Sequence, residues 1–154
     1  MSNKAIVVAA AAVLAVAATI AILARDDPSP QLQALRADPM ADYTPAGGEL
    51  VDTDEQNEGT TFGKPVAARY SRMFEVPAGE SERVLEDAVE AAEAGGWTIE
   101  SSREASLGDL VALGSREVPT GKAQLALTLF TGARPVPGDI AAPALRVSLE
   151  HLRP

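Results

Sequence analysis

Hydrophobic and polar positions divide the chain into three stretches of different pattern. From Ala5 to Ala24 the sequence AIVVAAAAVLAVAATIAILA runs for twenty positions without a charge, and Thr19 is its only polar residue. A helix of that length is about 30 Å long, the thickness of a bilayer's hydrocarbon core. The run predicts a transmembrane helix over residues 5–24 behind a short tail, residues 1–4. A cleaved signal peptide is the competing reading, but its apolar core is normally about 7–15 residues and ends in a small-x-small site. Here Ile22 holds the −3 position for a cut after Ala24, and a cut after Ala21 would fall inside the apolar run.

Periodicity is lost over residues 25–64. Pro28, Pro30, Pro39 and Pro45 punctuate this stretch, and Gly47-Gly48 adds a flexible point. Apart from a short helical stretch between prolines, Gln31 to Ala37, it reads as an acidic, flexible tether. Such a composition buries too little apolar surface to offset its ordering entropy.

Regular patterns return in residues 65–154. Val66 to Val76 alternates with period two, placing Val66, Ala68, Tyr70, Arg72, Phe74 and Val76 on one face, with Arg72 interrupting an apolar row. Glu80 to Ala94 has helical spacing, with Val84, Leu85, Ala88, Val89 and Ala92 on one face and Gly95-Gly96 as the stop. Further strands are expected over Trp97–Ser101, Leu110–Ser115, Lys122–Phe130 and Ala144–Leu152. The expected fold class is α+β: the transmembrane helix, the linker, then a two-layer domain with one main helix on a mostly antiparallel sheet of about five strands.

Composition narrows the chemistry. The chain has 154 residues, no cysteine, one histidine and a formal charge of −9. Disulfides, thiol chemistry and thiolate-bound metals are excluded. The charge argues against nucleic acid, whose phosphates need a basic face. Residues 26–58 alone hold nine acidic side chains against the single base Arg36. Lys4 before the apolar run and Arg25 after it, with the terminal amine added to the first side, favour a cytoplasmic N-terminus and an extracytoplasmic domain. Ala10, Ala17, Ala21 and Ala24 fall near one helical face, a docking stripe for another helix unless they merely reflect the abundance of Ala.

Candidate sites are sparse. Asp52-x-Asp54-x-Gln56-x-Glu58 opens like a calcium loop, but Asn57 stands where the sharp-turn Gly belongs and Gly63 where the bidentate Glu belongs. Gly59 to Pro65 has three residues between its glycines instead of four, and Pro65 forbids the helix a phosphate loop requires. His151 continues the row of Leu145, Val147 and Leu149, which suits a partly buried structural side chain better than a catalyst. No G-x-S-x-G elbow is present. Trp97 is expected as a core anchor beneath the helix. Arg69, Arg72 and Arg103 are the candidates for a small anion site, against pairing with the domain's own carboxylates. The loop from Thr131 to Pro143 is long enough to be a recognition loop.

The stretch ALRADPMADYTPAGGELV (Ala34 to Val51) and the turn AAEAGGW (Ala91 to Trp97), behind a leading anchor helix, resemble small single-pass membrane proteins of actinobacteria. High Ala and ten Arg against three Lys fit a GC-rich genome. The resemblance implies an exported, anchored domain and transfers no catalytic, cofactor or metal-binding residue. The expected function is therefore a non-catalytic module, held in the cell membrane by residues 5–24, that binds another membrane or envelope protein. The alternative is an extracytoplasmic domain that senses a small ligand or a lipid head group. No cofactor is expected, and an enzyme is disfavoured because no acid–base pair is discernible.

Overall fold

The computed structural model describes residues 27–105, 108–132, 136, 140 and 143–152. The expected transmembrane helix and its N-terminal tail lie outside them, as does much of the Thr131–Pro143 loop. No helix among the described residues is long and apolar enough to cross a membrane.

The first described residues are folded, which corrects the expectation of a flexible linker for residues 27–64. Helix α1 spans Pro30–Arg36, with Ser29 as its N-cap accepting from the Leu32 N–H and Pro30 in the first turn. Proline there lacks an N–H the helix would not use, so it starts the helix rather than breaking it. A 3-10 turn follows over Pro39–Ala41, capped by the Asp38 carboxylate on the Met40 N–H. Leu32, Leu35, Met40 and Ala41 are all buried in the main core.

The chain then forms strand β1, Glu49–Gln56, and a small hairpin of β2, Gly59–Thr61, and β3, Lys64–Val66. Strand β4 spans Arg69–Glu75, and helix α2 spans Ser81–Ala94. Four strands complete the fold: β5 (Thr98–Glu104), β6 (Leu110–Val118), β7 (Gly121–Phe130) and β8 (Ala144–Leu152). The main sheet has six strands in the order β1-β4-β8-β7-β6-β5, one more than expected, and all its neighbours are antiparallel. The extra strand is β1, from the segment read as linker.

Helix α2 ends where the sequence places its stop. Gly95 is the C-cap, Gly96 takes φ 90°, the Gly96 N–H bonds the Glu93 carbonyl and the Trp97 N–H bonds the Ala92 carbonyl. Those two bonds form a Schellman motif, whose left-handed position favours glycine. The chain thus turns directly into β5 with Trp97 buried, as expected.

Both helices cover one face of the sheet. Leu85, Ala88 and Ala92 of α2 and Leu32 and Leu35 of α1 pack with Phe74, Ala112, Leu125, Leu127, Leu129, Leu145, Val147 and Leu149. A smaller cluster, Met73, Phe130, Val136 and Ala144 with Ile140 beside it, lies on the opposite face at one end. It brings loop residues 136 and 140 back onto the sheet.

Candidate functional site

Register decides which side chains meet on the face that the helices leave uncovered. Asp54 of β1 stands opposite Ser71 of β4, which stands opposite Ser148 of β8, itself paired with Ala126 of β7. The next row along is Asp52, Met73, Arg146 and Thr128. These rows alternate with the apolar residues beneath the helices, as the period of two requires. The result is a groove of about 290 Å³ lined by Asp52, Asp54, Arg69, Ser71, Arg146 and Ser148, with Met73 in its floor.

Two acids and two bases make the groove formally neutral. Arg69 Nη2 donates to Asp54 Oδ2 at 2.9 Å, and both side chains are about half exposed (43% and 55%), so solvent screens the pair. Arg69 Nε is covered and meets no acceptor among the described residues, leaving one donor of the guanidinium unused. Arg146 lies with its Cζ 5.4 Å from the centre of the Phe130 ring, which links the groove to the cluster holding Val136.

The three arginines of the expected anion site do not converge. Arg72 points to the helix-covered side and is already used: its Nη1 donates to the carbonyls of Ala41 at 2.9 Å and Tyr43 at 3.1 Å, above the Phe74 ring. That use explains the charge in an otherwise apolar row. Arg103 faces the same way as Arg69 but on β5, four strand spacings or about 19 Å across the sheet. Only Arg69 lies in the groove. Its basic companion, Arg146, carried no sequence signal, because an arginine alternating with leucine and valine on a strand is the ordinary pattern of a half-buried sheet.

The remaining candidates have structural positions. His151 is buried, its Nε2 is 3.0 Å from the Thr120 carbonyl, and its backbone N–H donates to the Ala68 carbonyl. Asp52, Asp54 and Gln56 lie in a row on one face of an extended strand, which does not curl the chain around a cation as a calcium loop does. Among the described residues, no group of three His, Asp or Glu side chains is placed to hold a metal ion.

Two features went unnoticed in the sequence. Asp38, 5% exposed, accepts from the Met40 N–H, from Trp97 Nε1 at 3.1 Å and from Arg116 Nη1 at 2.9 Å. Arg116 also donates to the Gly95 carbonyl and lies over the Trp97 ring. The second feature is the β2–β3 turn, where Phe62 and Gly63 take φ 50° and 74°. Two successive positive φ values make the primed hairpin turn that normally carries Asn-Gly, and an aromatic there is strained. Phe62 is also 100% exposed.

Comparison with protein-family models, with curated proteins and with solved structures finds no match to this chain.

Proposed function

We propose that the chain is a non-catalytic, membrane-anchored module whose extracytoplasmic domain binds another membrane or envelope protein through the uncovered face of its sheet. The observation that supports this reading most directly is the one-sidedness of the fold. Both helices are committed to a single face, while the other presents a mixed-charge groove of Asp52, Asp54, Arg69 and Arg146 with half-exposed Ala126, Thr128, Ser148, Val111 and Leu113 around it. A polar face with balanced charge suits a protein surface that supplies both signs. A simple anion is served less well, because the two aspartates repel it and Asp54 already holds Arg69. Residues 5–24 supply the anchor, and the charges flanking them favour the domain outside the cytoplasm.

A photo-crosslinking residue at Thr128, on the uncovered face, tests this in native membranes beside one at Glu86 on the outside of α2. A discrete adduct from position 128 that is absent at 86, and that is lost in Ser148→Arg, is the expected result. Identical patterns at the two positions, or no adduct at either, overturn the reading.

A further inference from the structure

The folding of residues 27–64 removes the long spacer between the apolar segment and the domain. Only Arg25 and Asp26 separate Ala24 from the first described residue. The entry of the chain is fixed at Ser29, whose N–H donates to Asn57 Oδ1 at 2.8 Å. Asn57 is also the root of the β2–β3 hairpin. From this hydrogen-bonded pair, five residues lead back to Ala24 and five lead forward to Phe62. Either branch reaches at most about 17 Å when extended. The hairpin tip therefore has the reach to meet the plane in which the apolar segment ends.

The tip also has the chemistry for that plane. Phe62 is fully exposed, although a large apolar side chain gains nothing from water. Its positive φ is a backbone cost that no contact among the described residues repays. The preceding stretch, residues 26–58, is strongly acidic, yet from Gly59 to Val66 the one charged side chain is Lys64. An aromatic beside a lysine matches the boundary between acyl chains and head groups, where the ring is buried and the ammonium stays among phosphates.

We infer that the β2–β3 hairpin is a second membrane contact, with Phe62 inserted at the head-group boundary of the bilayer that holds residues 5–24. The inference rests on the anchor reading of that segment. Two attachments on one side of the domain fix its orientation, which a single helix leaves free to rotate.

The absence of cysteine from the chain permits a clean test. The full chain carrying Phe62→Cys is labelled with an environment-sensitive fluorophore and reconstituted into phosphatidylcholine–phosphatidylglycerol vesicles. A second sample carries Ala78→Cys, in the exposed turn after β4 at the opposite end of the sheet. Flotation reports anchoring independently of the probe. The expected result is flotation of both, with a blue shift and quenching by shallow lipid-borne nitroxides at position 62 and neither at 78. Flotation with an aqueous spectrum at position 62 overturns the hairpin contact and leaves the anchor standing. A blue shift without lipid quenching, or equal quenching at both positions, also overturns it. Failure to float rejects the anchor and the inference together.

Discussion

Asp38 joins the first described residues to the rest of the domain. Its side chain is 3% exposed while that of Arg116 is 28% exposed, so the carboxylate sits at the inner end of the ion pair. Removing it leaves Trp97 Nε1 and part of the Arg116 guanidinium without their acceptor in a covered position, which costs more than the pair itself contributes. Asp38→Ala is expected to lower stability by about 3 kcal/mol in urea unfolding, with a change in Trp97 fluorescence. A loss within experimental error of zero would show that the network is dispensable. Tyr43 acts through protonation. Burial first, and then the charge of Asp87, hold its phenol above the ordinary value of 10.0. The folded state therefore keeps this proton at a pH where the unfolded chain has released it. The contribution is fully present below pH 10 and is lost as pH rises through the folded value. Tyr43→Phe should flatten the decline of melting temperature above that pH, and parallel curves for the two proteins would reject the assignment.

At the scale of elements, β1 shows how a strand arises without an apolar pattern. Seven of its eight residues are exposed, and its stabilisation comes from the backbone ladder to β4. Its charges, Glu49, Asp52, Asp54 and Glu55, suit a sheet edge, where they oppose pairing with another chain. Arg36 of α1 pairs with Glu55 from the helix side and Arg69 pairs with Asp54 from the other, so the strand is held on both faces. Strand β6 illustrates the opposite constraint. A Cβ added to Gly114 would stand 2.9 Å from the Thr98 carbonyl oxygen and 2.9 Å from Ile99 Cδ1, next to the bulge in β5. One of these neighbours is backbone and cannot turn aside. Gly114→Ala should thus destabilise by roughly 1–3 kcal/mol, measured by chemical denaturation. An unchanged midpoint would mean that the β5 edge yields freely.

For the molecule as a whole, residues 27–64 belong to the domain. Leu32, Leu35 and Met40 fill the core beside Phe74, and burying the three contributes roughly 6 kcal/mol. That is comparable to the entire stability of a small domain, about 5–15 kcal/mol. A fragment of residues 65–154 is expected to lack cooperative unfolding and dispersed amide resonances, whereas residues 27–154 should show both. Cooperative folding of the shorter fragment would make the N-terminal elements an accessory layer. The described domain begins three residues after the apolar segment, so no long tether separates the two.

The sequence alone determined the elements whose own side chains carry the signal. Helix α2, its Gly95-Gly96 stop, buried Trp97 and strands β4 to β8 were legible because period and capping are local properties. The burial of His151 in the row of Leu145, Val147 and Leu149 was legible for the same reason. Tertiary structure decided what depends on partners distant in the chain. The short helix between the prolines was legible, but average acidity hid that Leu32, Leu35 and Met40 enter the core. Strand β1 has no hydrophobic pattern because hydrogen bonds to β4, not buried side chains, hold it. The groove was equally invisible: Arg69 and Arg146 are 77 residues apart, and only the register of β4 on β8 places them on one face. Alternation assigns each to a face of its own strand, but which strands adjoin, and which face the helices choose, is settled by packing.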